Sequence, residues 1–167
     1  MASDDTDKLL KFVNQLGDDK RRGKYSDLFT GFEQKISRRE EAEWLRTQLV
    51  QVRNREMVSV LAEVGGLVVA NGGVTRGDYE ETRHHGRLAL TVLAAYRGLG
   101  IGREMAKVLL REARHMGLKN VEVEFLSTNQ AAVHTYKKAG FRKVGIIPGK
   151  VRRKGKLIDS VIMARNV

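Results

Sequence analysis

Three glycines within five residues, Gly98, Gly100 and Gly102, form the segment of the sequence best suited to chemistry. They lie where a predicted strand gives way to a predicted helix, and backbone amides at a helix N-terminus bind phosphate. Glycine has no Cβ, so the main chain can approach an anion closely. Arg97 and Arg103 flank the turn and offer charge-assisted hydrogen bonds. The segment is predicted to bind phosphate, although a turn that only joins the two elements explains the glycines equally well.

The spacing of these glycines excludes two common phosphate-binding motifs. Gly98-x-Gly100-x-Gly102 is not the GxGxxG of dinucleotide-binding folds, and no acidic residue ends a following strand to hold a ribose. It is not a P-loop either, because no Lys-Ser/Thr pair follows the last glycine. The chain also contains no Cys, which excludes thiolate metal sites and an acyl-cysteine intermediate.

Overall charge points to an anionic partner. The 167 residues include 31 Lys and Arg against 20 Asp and Glu, a formal net charge of +11. Such a balance fits nucleic acid, a membrane surface or a phosphorylated cofactor. Aromatic residues make up only 6% and do not alternate with basic ones, which disfavours a nucleic-acid stacking surface. No apolar run suits a signal peptide or a membrane span, so a cytoplasmic protein without a membrane partner is expected.

Two helices are predicted before the first strand. The first begins near Asp5 or Thr6, and Gly17 is predicted to stop it. Residues 18–36 are interpreted as a loop with one helical turn at most. Ser37 and Glu40 form a capping box that starts the second helix, which is expected to end near residues 53–55.

The remaining elements surround the glycine turn in a regular order. Gly65-Gly66 is predicted to join two strands in a tight hairpin, because both central positions tolerate positive φ. The pattern then predicts a strand, a helix, a strand, a helix and two strands. Their predicted ranges are 57–64, 67–74, 84–92, 101–117, 121–125, 129–140, 141–147 and 157–163, with a turn from Pro148 to the basic run 152–156. This order predicts one mixed α/β domain over residues 1–167, mainly antiparallel with one parallel crossover.

Two motifs in this order resemble a known family. Arg97-Gly98-Leu99-Gly100-Ile101-Gly102 is similar to the Arg/Gln-x-x-Gly-x-Gly/Ala signature of the GNAT superfamily of acetyl-CoA-dependent N-acetyltransferases. Downstream, Asn129, Ala132, Tyr136 and Gly140-Phe141 reproduce a second pattern of that family. The resemblance covers about residues 57–163 and implies the GNAT fold, a mixed sheet flanked by about four helices. Members usually open with a strand, so that strand is expected to be missing here at least in part.

The resemblance implies acetyl-CoA as co-substrate, no metal, and a set of contact residues. Pantetheine would run beside the strand, and the pyrophosphate would rest on amides of the glycine turn. The implied cofactor-binding residues are Leu90, Thr91, Val92, Arg97, Gly98, Leu99, Gly100, Ile101, Gly102, Arg103, Asn129 and Tyr136. Asn129 would contact the pantetheine arm, or simply cap a helix. Tyr136 would protonate the leaving thiolate as a general acid, or simply be a core aromatic.

The sequence does not identify the residue that acts as general base. Many relatives carry a carboxylate on the strand at 84–92, and this strand has none. The base candidates are His84, His85, Glu80, Glu81, Glu122 and Glu124, with Glu122 and His84 placed first. An exposed histidine beside a loop and the polar face of a strand explain these residues without catalysis. Asp78, Glu80 and Glu81 would attract a cationic amine, or form only a solvated hairpin tip.

Direct acetyl transfer from acetyl-CoA to a primary amine in a ternary complex is therefore the predicted function. The segment 159–163 resembles the last strand of members that use small amines or amino acids, which favours these slightly over a protein amino group. The alternatives are a basic module that binds nucleic acid or the ribosome, and a regulator that binds CoA without turnover. The basic runs 20–22 and 152–156 have no assigned partner, and the resemblance makes a homodimer possible.

Overall fold

A computed structural model describes residues 5–24 and 34–167 of the chain. Four α-helices lie in this described part: α1 Thr6–Arg21, α2 Arg38–Arg53, α3 Ile101–His115 and α4 Gln130–Lys138. The strands are β1 Met57–Val64, β2 Leu67–Arg76, β3 His85–Val92, β4 Asn120–Leu126, β5 Arg142–Arg153 and β6 Lys156–Asn166. Among the described residues, two helices therefore precede the first strand, and no helix has the length and apolarity required to span a lipid bilayer.

All six strands belong to one sheet in the order β1-β2-β3-β4-β6-β5. Only the pairing of β3 with β4 is parallel, while the four other pairings are antiparallel. Helix α3 makes the crossover between these two strands. The mixed α/β fold predicted from the sequence is confirmed.

Helices cover both faces of the sheet. The side chains of Val74 on β2 and Leu88 on β3 point to one face, where they join α3 in the main core. Leu109 of α3 is fully buried there. On the other face, Phe12 and Leu16 of α1 pack against a smaller cluster that includes Val68. The sheet is thus a rigid partition between α3 with α4 on one side and α1 with α2 on the other.

Close packing of α3 and its following loop against the sheet depends on Gly86 in β3. A Cβ at this position would lie 2.6 Å from Leu118 Cδ1 and 2.8 Å from Val74 Cγ1. We expect Gly86→Ala to lower the free energy of unfolding by about 1–3 kcal/mol, because the core must shift to admit the methyl group. Urea unfolding measures the change. Gly145→Ala, in β5 with open space around its Cβ, is the matched control and should be nearly neutral.

Helix α2 begins as the sequence predicts. Ser37 Oγ accepts a hydrogen bond from the Glu40 amide at 3.3 Å, and Glu40 Oε2 accepts one from the Ser37 amide at 2.8 Å. This reciprocal capping box satisfies two amides that a helix start otherwise leaves without partners. The helix ends at Arg53, also as predicted.

The predicted stop of α1 at Gly17 is wrong, because the helix continues to Arg21. Gly17 is buried inside the helix, and an interior glycine costs only about 1 kcal/mol. Pairs one turn apart support the added turn: Gln15 donates to Asp19 at 3.0 Å, and Arg21 pairs with Asp18 at 2.5 Å. The basic run 20–22 therefore lies at the helix end rather than in a loop. Residues 25–33 of the predicted loop lie outside the described residues.

Of the two predicted hairpin turns, one is confirmed and the other is wrong. Gly65 and Gly66 have φ of +56° and +79° and form the predicted tight turn between β1 and β2. The predicted turn from Pro148 onward is wrong, because β5 continues to Arg153 and the chain reverses at Lys154 and Gly155. The strand register shifts between positions 147 and 151, and such an irregularity accommodates a proline that cannot donate to the ladder.

Candidate functional site

A gap opens in the sheet between β3 and β4. Their pairing ends at Leu88 and Val123, although β3 continues to Val92 and β4 to Leu126. The amide of Leu93 donates to Val69 on β2 at 2.9 Å. Because successive residues of a strand direct their polar backbone groups to opposite sides, those of Leu90 point into the gap. This leaves an unpaired strand edge where an extended ligand can bind.

The glycine turn closes one end of this gap. Gly98 and Gly100 have φ of +80° and +83°, a conformation that residues with a Cβ rarely adopt, and Gly100 caps α3. A Cβ on either glycine would meet no atom within 4 Å, so the main chain faces open space. In the described part of the chain, the amides of residues 98–102 donate to no backbone carbonyl. Several amide donors without a backbone acceptor thus lie at the positive end of a helix dipole.

A groove of about 560 Å³ runs from this turn to α4, and we call it the turn groove. Every residue predicted to bind the cofactor lines it. Those residues are Leu90, Thr91, Val92, Arg97, Gly98, Leu99, Gly100, Ile101, Gly102, Arg103, Asn129 and Tyr136. The structure therefore brings together residues from β3, the turn, α3 and α4, although Leu90 and Tyr136 are 46 positions apart in sequence.

Asn129 caps α4, as one of the two predicted roles requires. Its Oδ1 accepts a hydrogen bond from the Ala132 amide at 2.9 Å. The side chain also lines the turn groove, so capping fixes its position at the groove wall. Contact with a bound pantetheine arm stays a prediction.

Tyr136 lies at the inner end of the turn groove and is only 7% exposed. Its ring is held between Phe125, with centroids 5.6 Å apart, and Phe141, with centroids 5.3 Å apart. No described residue forms a hydrogen bond with its hydroxyl group. Burial raises the pKa of Tyr136 well above its usual value, so the phenol stays protonated at neutral pH. The residue is a core aromatic that also lines the turn groove, and its role as a general acid stays a prediction.

A second cavity of about 530 Å³ lies on the other face of the sheet, and we call it the α1–α2 cavity. Its walls are mainly apolar side chains of the two helices and of β1. Leu9, Phe12, Val13, Leu16, Ile36, Trp44 and Met57 supply most of this surface. Leu90 and Thr91 line both this cavity and the turn groove. The two spaces therefore border the same stretch of β3, beside the gap.

The structure does not bring the two leading base candidates to either space. His84 is exposed before β3, six residues from Leu90, which is about 20 Å at the usual rise per strand residue. Glu122 pairs with Arg87 at 3.1 Å and lies 3.5 Å from His85 Nε2. Both candidates belong to the paired end of β3 and β4, away from the gap. Asp78, Glu80 and Glu81 also precede β3. They lie in the connection between β2 and β3, the tip of that hairpin.

Glu124 comes nearer to the gap, but its Oε1 already has two partners. It lies one residue beyond the last β3–β4 pair, accepts a hydrogen bond from Ser160 Oγ at 2.6 Å, and pairs with Lys150. Burial works against ionisation, but the hydrogen bonds from Lys150 and Ser160 outweigh it and hold the pKa of Glu124 below its usual value. A carboxylate with a lowered pKa is a weak base. The two contacts of Glu124 Oε1 link β4 to β6 and β5.

Sequence reasoning missed one carboxylate. Glu41 lines the α1–α2 cavity from the first turn of α2 and is only 5% exposed. Helical spacing gave no signal for it, because glutamate in a first helical turn is ordinary. Its burial depends on α1 packing alongside, which the local pattern does not reveal.

Comparison with known proteins supports the fold that the sequence motifs imply. A model of the Acetyltransferase (GNAT) family matches residues 23–141, which include the gap, the turn and α4. The chain belongs to the GNAT acetyltransferase family. The N-alpha-acetyltransferase RimI of Mycobacterium tuberculosis is 35% identical over 98 residues, which are 56% of this chain and 60% of that protein. The matched part thus spans less than two thirds of this relative.

Solved structures of GNAT proteins superimpose on nearly the whole chain. An acetyltransferase of Streptococcus pneumoniae gives a TM-score of 0.85 at 21% identity and covers 100% of this chain and 96% of its own. A ribosomal-protein-alanine N-acetyltransferase of Brucella melitensis gives 0.81 at 22%, covering 100% and 97%. The yncA protein of Salmonella typhimurium, solved with its cofactor acetyl-CoA, gives 0.81 at 16%, covering 99% and 90%. At these identities the agreement establishes the shared fold.

Proposed function

We propose that this GNAT protein transfers an acetyl group from acetyl-CoA to a primary amine within a ternary complex. The observation that carries the proposal is that Leu90 and Thr91 line both the turn groove and the α1–α2 cavity. Direct transfer needs two substrates that approach each other from separate sites. Here one space offers phosphate-binding amides and the other is mainly apolar, so each suits a different substrate.

The turn groove fits the phosphorylated end of acetyl-CoA. Open space lies beside the main chain at Gly98 and Gly100, on the side where other residues carry a Cβ. A pyrophosphate can occupy this space. Arg97 and Arg103 line the same groove and supply positive charge. The unpaired edge of β3 at Leu90 suits the amides of a pantetheine arm, which then extends toward Tyr136.

The reaction is an acyl exchange in which the amine replaces the thiolate. The amine nitrogen attacks the thioester carbonyl carbon, the new C–N bond forms and the C–S bond breaks. The nitrogen releases one proton to solvent and the sulfur gains one, so the protons balance. The Leu90 amide, at the gap, can donate to the carbonyl oxygen as negative charge develops there. Tyr136, which stays protonated, donates its hydroxyl hydrogen bond to the departing sulfur. The sequence holds no Cys, so no thiol of the chain takes the acetyl group.

The acceptor we propose is the α-amino group at a protein or peptide N-terminus. The RimI relative is named an N-alpha-acetyltransferase, and a structural neighbour is named for ribosomal-protein alanine. Trp44 at the rim of the α1–α2 cavity is 40% exposed, so the cavity opens to solvent and admits the end of a longer chain. A small free amine is the second candidate, because the segment 159–163 favours it.

A panel of amines tests the proposal. Purified protein is incubated with acetyl-CoA and either N-terminal peptides, small amines or lysine side-chain peptides, and mass spectrometry identifies the acetylated product. We expect acetylation of peptide α-amines to exceed that of the other classes. Acetyl-CoA binding without acetylation of any amine would instead favour the CoA-binding regulator. Salt-dependent RNA or DNA binding that acetyl-CoA does not displace would favour the nucleic-acid module.

A further inference from the structure

Glu41 is a buried carboxylate without a partner. Its side chain reaches the α1–α2 cavity, and no described residue forms a hydrogen bond or ion pair with it. The neighbouring Glu40 lines the same cavity but is committed to the capping box with Ser37. Proteins seldom bury an ionisable group unless something compensates for its lost hydration. A counter-charge can approach Glu41 through the cavity that it lines.

Burial disfavours the ionised form of the Glu41 carboxyl group. Desolvation raises the pKa of its carboxyl group above the usual value. The described residues that line the cavity include no Lys, Arg or His. A ligand that carries a positive charge would compensate for the lost hydration and would favour the ionised carboxylate.

We propose that Glu41 binds the protonated amine of the acceptor in the α1–α2 cavity and so selects the substrate class. This inference rests on the proposed function, since it assigns the amine to the cavity that shares Leu90 and Thr91 with the turn groove. Glu41 acts as a specificity-determining residue: it captures the ammonium group, which loses a proton to solvent before the neutral amine attacks beside Leu90 and Thr91.

The other residues that line the α1–α2 cavity limit the class of acceptor amine further. Phe12, Trp44 and Met57 offer apolar surface for the group attached to the amine. With no cation in the described lining, a carboxylate next to the amine would stay uncompensated and would face Glu41 at close range. The cavity therefore suits a peptide α-amine or an amino-acid amide, and it disfavours a free amino acid.

The test compares wild type, Glu41→Gln, Glu41→Asp and Glu43→Gln with alaninamide, alanine and an N-terminal peptide. Glu43 is an exposed residue of α2 that pairs with Arg39 at 3.1 Å, which makes it a matched control. We expect Glu41→Gln to raise KM for the amine about 10- to 100-fold, as loss of a charged hydrogen bond should. KM for acetyl-CoA should stay unchanged, Glu41→Asp should recover part of the loss, and Glu43→Gln should match wild type. Wild type should prefer alaninamide to alanine.

A binding measurement keeps the inference testable apart from turnover. Alaninamide without acetyl-CoA should raise the melting temperature of wild type, and this shift should vanish in Glu41→Gln. The unliganded variant should melt no lower than wild type, because the change removes an uncompensated buried charge. Equal amine KM values in wild type and Glu41→Gln, or equal shifts, would overturn the inference. Absence of amine turnover with a Glu41-dependent shift would instead contradict the proposed acetyl transfer alone.

Discussion

Replacing Gly100 with glutamate is expected to abolish acetyl-CoA binding. The new side chain would extend into the open space beside the turn and place a negative charge close to the amides of residues 98–102, which have no backbone acceptor. Repulsion of the pyrophosphate and loss of the cradle should act together, so affinity should fall more than about 100-fold. Isothermal titration calorimetry with acetyl-CoA measures the loss.

Two control variants separate the charge from the strain of a side chain at positive φ. Gly100→Ala keeps the strain, about 1 kcal/mol, without the charge, and should bind acetyl-CoA within about tenfold of wild type. Gly117 lies just beyond the other end of α3, with φ of +80° and equally open space around its Cβ. Gly117→Glu should therefore cost similar stability and leave binding intact. Retained affinity in Gly100→Glu would remove the phosphate-binding role of the turn.

Replacing Tyr136 with phenylalanine is expected to lower kcat about 100-fold, the lower end of a general acid's contribution. The ring keeps its contacts with Phe125 and Phe141, so both KM values should change little. The lost hydroxyl acts only as the C–S bond breaks, which is why the effect belongs to kcat. Steady-state rates of thiol release measure the change.

The stability of the same variant distinguishes catalysis from packing. The Tyr136 hydroxyl is buried and has no hydrogen-bond partner among the described residues, so its removal should leave the free energy of unfolding unchanged or raise it by about 1 kcal/mol. Phe141→Leu alters the ring that packs on Tyr136 edge-on and should destabilise the fold by about 1–2 kcal/mol. An unchanged kcat in Tyr136→Phe would leave Tyr136 as a core residue only.

The turn groove could be predicted from sequence because its determinants are local. Positive φ at Gly98 and Gly100, the start of α3 and the Asn129 cap each depend on a few neighbouring residues. Such short-range rules give the same result in any fold. The family motifs then related these separate signals to one ligand. The predicted hairpin at residues 65–66 succeeded for the same reason.

Features that depend on tertiary packing were not predictable in this way. Gly17 continues α1 because the helix is buried against the sheet, and the β5 irregularity depends on its pairing with β6. His84 and Glu122 have suitable chemistry, but the parallel register places them at the paired end of β3 and β4. Glu41 is distinguished from other glutamates only by burial. Long-range contacts decide all four features, and local patterns do not encode them.

The structure gives positions to some of the basic residues that produce the net positive charge. Arg97 and Arg103 line the turn groove, and Lys150 neutralises Glu124 between β4 and β5. The run 152–156 forms the tip of the β5–β6 hairpin, away from the residues that line either space. A phosphorylated co-substrate accounts for the arginines of the groove, while the hairpin charges have no structural explanation.

Initial rates of thiol release, measured while acetyl-CoA and a peptide α-amine are both varied, test the central claim most directly. Transfer between two substrates that meet at Leu90 and Thr91 requires both to be bound at once. Double-reciprocal plots should therefore intersect, and each turnover should yield one acetylated amine. Parallel lines, which indicate an acetylated enzyme intermediate, or thiol release that does not depend on the amine would contradict direct transfer.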